Sequence, residues 1–183
     1  MEECGKALGY LVGSKVVVFD VEKARCIFSH GFFGKPVGLK KPKDTNISVP
    51  LELSLIEAVY LARRGVLKVL KGDVEVGEEE LLKAVNKVFS NFEELYRVYE
   101  DIRSQGFTVR SALKYGVDYA VYRLRPGVEH APFLVKVVHR EQLLDPGDIV
   151  GWGRISHSVR KTLLLAIPES GGVNYIALKW FKP

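Results

Sequence analysis

Tyr122, His130 and Lys161 are the residues of this chain whose types and spacing can do chemistry. They stand in the segments VYRLRPGVEHAPFLVKV and SVRKTLLLAI. Attack of a ribose 2′-hydroxyl on a phosphodiester needs one group to take the proton from O2′ and another to protonate the departing O5′. A third must offset charge on the pentacoordinate phosphorus. Imidazole, with a reference pKa of about 6.5, suits the acid, and a lysine ammonium suits the charge. A phenol, with a reference pKa of about 10, needs a neighbouring cation before it can act as base, and Lys161 is the candidate for that help. Singly, each has an ordinary reading: a packed strand tyrosine, a surface histidine, a solubilising lysine ahead of an apolar strand.

The elements that must hold these residues follow from hydrophobic periodicity. GYLVGSKVVVFD predicts two short strands around Gly13-Ser14, and VEKARCIFSHG a helix ending near Gly31. GKPVGLKKPKDTNIS, residues 34–48, is a basic loop, and LELSLIEAVYLARRG carries the i, i+3, i+4, i+7 stripe Leu55, Ala58, Val59 and Ala62 of a helix. VLKVLKGDVEV has strand character, and two helices are expected over 78–89 and about 91–105. GVDYAVYRL, FLVKVVHR, TLLLAI and NYIALKWF then read as strands. Between them LLDPGDIVGWGRISHSVRK stays open, because its apolar spacing permits a helix that Gly147, Gly151 and Gly153 weaken.

The expected fold is α+β: a small N-terminal α/β domain over 1–90, and a catalytic domain over 91–183 with a mixed, nuclease-like β-sheet flanked by helices. Its TLLLAI run is expected as a central strand covered on both faces.

Composition narrows the partners. Lys and Arg exceed Asp and Glu by 27 to 22, a net charge of +5 that favours an anionic partner, nucleic acid ahead of membrane. No apolar run is long enough to span a bilayer and no signal-peptide core opens the chain, so a cytoplasmic protein without a membrane partner is expected. Cys4 and Cys26 form no metal-ligand spacing with a histidine pair and read as two reduced thiols, with one disulfide as the alternative. No cofactor and no tightly held metal are expected.

VYRLRPGVEHAPFLVKVV followed by GRISHSVRKTLLLAI resembles the catalytic half of the tRNA-splicing endonucleases, in which a V-Y motif precedes an H-S/A-x-[YF]-L-V motif and a final S-V-x-K precedes an apolar strand. The likeness covers roughly residues 91–182, with a looser one in the opening strands and LSLIEAVYLARRG. Ala131 departs from the serine many members carry, at a position without a catalytic role.

The resemblance implies Tyr122 as general base, His130 as general acid and Lys161 as transition-state stabiliser. It also implies a precursor-tRNA substrate cut at a bulge-helix-bulge, without metal, to 2′,3′-cyclic phosphate and 5′-hydroxyl ends. Arg154 takes the place of one side chain that clamps a bulged nucleotide, with Trp180 or Lys179 as the second; Trp180 has an ordinary core or interface reading as well. Lys40, Lys41 and Lys43 are candidates for substrate phosphates or for a solvated loop.

An oligomer is implied too, a heterotetramer with a structural subunit or a homotetramer. NYIALKWF would pair as an edge strand, and Glu141, Asp145 and Asp148 would dock, unless they form a solvated turn. The competing functions are a non-catalytic RNA-binding or scaffold subunit of the same fold, an unrelated basic RNA-binding protein, and a metal-dependent nuclease.

Overall fold

A computed structural model describes residues 4–39, 42 and 44–179. The chain divides into two compact units, Met1–Phe92 and Glu93–Pro183. Both are built on mixed sheets with helices, so the fold is α+β.

In the first unit, β1 (Ala7–Val12) and β2 (Lys15–Val18) form the expected hairpin, and α1 spans Val21–Gly31. Asp20 starts that helix by accepting from the backbone N–H groups of Glu22 and Lys23. Then come β3 (Lys35–Pro36), β4 (Leu51–Ser54), α2 (Leu55–Arg63), β5 (Leu67–Lys71), β6 (Val74–Val76) and α3 (Glu78–Asn86). The sheet order is β3-β4-β2-β1-β5-β6, with β1 and β5 parallel and the other pairs antiparallel.

Two expectations are corrected here. LELS is a strand, because Leu51 and Leu53 alternate into the core with period two, and the helix begins only at Leu55. Ser54 and Glu57 close a capping box there, and the buried Glu57 also accepts from the N–H of Gly34 at 2.8 Å. Gly34 has φ 68°, and a Cβ on it would come within 2.7 Å of the Glu52 carbonyl oxygen, so only glycine fits. Cys4 and Cys26, expected as reduced thiols, are joined in a disulfide. The chain between them, a sequence separation of 22, folds into the β1–β2 hairpin and half of α1, which returns Cys26 to within 5.6 Å (Cα–Cα) of Cys4. Linear spacing does not show that return.

α4 (Phe92–Ser104) starts at the boundary between the units, and Phe92, Leu95, Tyr96, Tyr99 and Ile102 on it are buried. β7 (Thr108–Ser111), a 3₁₀ turn at Leu113–Tyr115, β8 (Tyr119–Tyr122), β9 (Phe133–Val137), α5 (Pro146–Ser158), β10 (Thr162–Glu169) and β11 (Gly172–Leu178) follow. The sheet order is β11-β10-β9-β8-β7. β9 and β10 are parallel, as strands joined through a crossover helix can be, and the other pairs are antiparallel. β10 lies inside the sheet and β11 on its edge.

The open segment is therefore a helix. Asp145 caps it and Pro146 sits in its first turn, while Trp152 and Ile155 pack onto the core of the sheet. That burial outweighs the propensity cost of three glycines. No helix among the described residues is long and apolar enough to cross a membrane.

Candidate active site

Strand register brings the candidate residues to one end of the second sheet. Val121 pairs with Phe133, and Phe133 pairs with Thr162. One step further, the same registers align Tyr122, Pro132 and Lys161 across β8, β9 and the start of β10. The Thr162 N–H donates to the Pro132 carbonyl at 3.0 Å and fixes that alignment. Two strand spacings separate the Tyr122 and Lys161 backbones, about 10 Å.

Alternation decides the face. Ala120, Leu134 and Leu163 are paired in one row and belong to the apolar cluster that Trp152 and Ile155 of α5 cover. Tyr122, Pro132 and Lys161 lie two residues from those three and so share their face.

His130 is in the connection between β8 and β9, two residues before Pro132, and is exposed. A tight turn carries the chain there: Val128 and Glu129 both donate to the Arg125 carbonyl, and the Glu129 carboxylate accepts from the Leu124 N–H. The next residue, Ala131, is buried in the apolar cluster. Its carbonyl accepts a hydrogen bond from Lys161 Nζ.

Lys161 is itself set by the end of α5. Arg160 adopts a left-handed conformation, φ 53°, with its N–H on the His157 carbonyl, and the Lys161 N–H reaches back to the Ser156 carbonyl at 2.8 Å. That pair of bonds is a Schellman ending, which turns the chain sharply from helix into strand.

Tyr122 is half-buried, and burial pushes its phenol above the ordinary value. The Arg110 and Lys114 cations pull it back down, while Tyr115 and Glu129 add to the rise. Arg110 and Lys114 are thus the cations that favour the ionised form of this phenol. Arg110 stands opposite Ala120 on β7, next to Thr108, the partner of Tyr122, so it lies diagonally across from the phenol on the same face. Lys114 Nζ stands 4.8 Å from the centroid of the Tyr115 ring, which packs on the same apolar cluster as Tyr122. Sequence reasoning missed both cations because it anticipated neither β7 nor the 3₁₀ turn after it; the alternating run TVRS was the available signal for Arg110.

Arg154 projects from α5, exposed and without a side-chain partner among the described residues. Lys179 is exposed and follows Leu178, the register partner of Leu163, so its backbone reaches the same end of the sheet as Lys161. Trp180, Lys40, Lys41 and Lys43 lie outside the described residues.

Glu141, Asp145 and Asp148 are elsewhere, beyond the opposite end of β9. Asp145 caps α5 by accepting from the Gly147 N–H at 2.6 Å, Asp148 is in the first turn of that helix, and Glu141 is exposed. Between them Leu143 is 96% exposed.

Among the described residues, the side chains grouped closely enough to hold a metal are Cys4, Cys26 and His30 in the first unit, with ligand atoms within 4.8 Å of one another. Their sulfurs are joined in the disulfide.

Residues 7–82 match the family model of the tRNA intron endonuclease N-terminal domain, and residues 92–175 that of the tRNA intron endonuclease catalytic C-terminal domain. The chain belongs to the tRNA intron endonuclease family. Among its relatives are proteins named tRNA-splicing endonuclease from Saccharolobus islandicus strain Y.N.15.51 (51% identical), Saccharolobus solfataricus (47%) and Hyperthermus butylicus (46%). In each case the match covers 94% of this chain and 97% of the relative. Tyr122, His130 and Lys161 all fall within the segment that matches the catalytic domain of the tRNA intron endonucleases.

Proposed function

We propose that the chain removes introns from precursor tRNA by cutting at bulge-helix-bulge junctions, with the substrate's 2′-hydroxyl as nucleophile. The observation that carries the reading is the shared row and face of Tyr122 and Lys161, with Lys161 bonded to the residue that follows His130.

In the proposed step the Tyr122 phenolate takes the proton from O2′, and O2′ attacks phosphorus. His130, as imidazolium, gives its proton to O5′ as the P–O5′ bond breaks. The Lys161 ammonium offsets charge on the non-bridging oxygens; one of its three N–H groups is held by Ala131, which aims the nitrogen and leaves two donors for phosphate. The products are a 2′,3′-cyclic phosphate and a 5′-hydroxyl, which makes the reaction a lyase step that needs no metal.

Arg154, with Lys179 or Trp180, clamps a bulged base, and Lys40, Lys41 and Lys43 contact the RNA backbone. The working form is a tetramer in the cytoplasm, a heterotetramer with a structural subunit rather than a homotetramer. Glu141, Asp145 and Asp148 dock onto a neighbouring subunit, and the β11 edge pairs with another chain.

The test is cleavage of an end-labelled bulge-helix-bulge RNA in excess EDTA, by wild type and His130→Ala, with and without a candidate partner subunit. Cyclic-phosphate ends from wild type alone are expected. Tight RNA binding without scission in any combination would overturn the reading in favour of a scaffold subunit.

A further inference from the structure

We propose that the Cys4–Cys26 disulfide is a reversible redox modification site, opened and closed by thiol–disulfide exchange, with His30 carrying the proton of the leaving thiol. His30 Nδ1 lies 3.6 Å from Cys4 Sγ and 3.5 Å from Cys26 Sγ, so one nitrogen serves either sulfur. It also reaches the Cys26 carbonyl oxygen at 3.0 Å and Ser29 Oγ at 3.2 Å, contacts that keep the ring over the sulfurs. A cation is held against the same cysteine, because Lys23 Nζ donates to the Cys4 carbonyl at 2.6 Å. Positive groups beside sulfur favour the thiolate and make it a better leaving group. A purely structural disulfide has no need of an imidazole shared between its sulfurs.

Exposure sets the direction of attack. Cys4 is 3% exposed, whereas Cys26 is half-buried, so an incoming thiolate meets Cys26 Sγ. The reductant class is a small or protein dithiol. Its thiolate bonds to Cys26 Sγ, the S–S bond breaks, and the electron pair goes to Cys4 Sγ, which takes a proton from the His30 imidazolium. The second thiol of the reductant then attacks the mixed disulfide and releases Cys26 as a thiolate. Two electrons pass to the protein and the reductant ends as a disulfide. Closure is the reverse, with a disulfide oxidant, and pins the segment ahead of β1 to α1 again.

The experiment uses the full chain, oxidised, folded and free of denaturant. It is exposed to dithiothreitol at pH values from about 6 to about 9, alkylated at timed intervals and weighed to count thiols. Circular dichroism at the same temperature confirms that wild type and His30→Gln are equally folded. Wild type is expected to open completely while folded. His30→Gln should open about tenfold more slowly than wild type. Equal rates at every pH would overturn the proposal, as would a wild-type bond that opens only in denaturant. Cys26→Ser, which cannot close the bond, calibrates the reduced state.

Discussion

Lys161 and Ala131 are joined by a hydrogen bond from the lysine ammonium to the alanine carbonyl, 30 residues apart in sequence. The bond fixes the Lys161 nitrogen against the chain that carries His130. Removing the ammonium should therefore cost in two ways, through lost charge and through looser placement of His130. Lys161→Gln, which keeps an N–H donor without the charge, is expected to lose mainly the first, and Lys161→Ala both. In single-turnover cleavage we expect losses of about 10²–10³ for Gln, with a further severalfold loss for Ala, and about 10²–10⁴ for His130→Ala. RNA affinity should change little by comparison.

Tyr122 gives the pH dependence. Its phenol is raised by burial, so at neutral pH the base form is scarce and cleavage should climb with pH through and beyond neutrality. Arg110→Gln and Lys114→Gln each remove a charge that favours the phenolate. Both should move the rising limb to higher pH and slow cleavage severalfold at fixed pH near neutral. A pH–rate profile of each variant checks the sign: a limb that moves down would refute the assignment.

Arg160 holds a left-handed backbone that glycine adopts at no steric cost. Arg160→Gly should therefore stabilise the chain by about 1 kcal/mol in denaturant melts. If the guanidinium also contacts RNA, affinity and its salt slope should fall while stability rises. Opposite movements in the two measurements separate backbone cost from function.

Asp145 carries two readings that one pair of variants can divide. As the cap of α5, Asp145→Ala should lower stability by about 1 kcal/mol, and Asp145→Ser should restore most of it. Glu141→Lys and Leu143→Asp change exposed side chains and should leave monomer stability within about 0.5 kcal/mol. Sedimentation decides their role: assembly lost in these variants supports docking, and unchanged mass removes it.

Tyr175 on the edge strand donates to the Asp101 carboxylate at 2.7 Å, and burial together with that bond pushes its phenol well above the ordinary range. Because the folded value is raised, the stabilisation is fully present below about pH 10, where the unfolded phenol ionises, and is lost as pH climbs further. Tyr175→Phe should cost about 1 kcal/mol at neutral pH and give a shallower loss of stability above about pH 10. Thermal melts at a series of pH values test both parts.

Much of the architecture could be read along the chain. The β1–β2 hairpin, α1, α4 and the strands around Tyr122, Phe133 and Leu163 follow from periods of two and 3.6, which act over a few residues. LELS was misread because two leucines at i and i+2 satisfy a strand while continuing a helical stripe, and only pairing with β2 decides between them. α5 was undecided because its glycines argue locally against helix, whereas its stability comes from Trp152 and Ile155 against the sheet.

By itself the sequence determined the residue types of the candidate site and the family that its motifs resemble, because motifs are short strings in which chemistry and local backbone are written together. Tertiary structure alone decided what surrounds them. The register of β8, β9 and β10 aligned Tyr122 with Lys161, β7 brought Arg110 to the phenol, and the Schellman turn aimed Lys161 at Ala131. The disulfide is the same lesson in the first unit, where Cys4, Cys26 and His30 meet only after a hairpin and a helix fold the chain back. Contacts of this kind depend on which residues lie opposite one another once strands pair, and pairing across tens of residues leaves no period in the sequence.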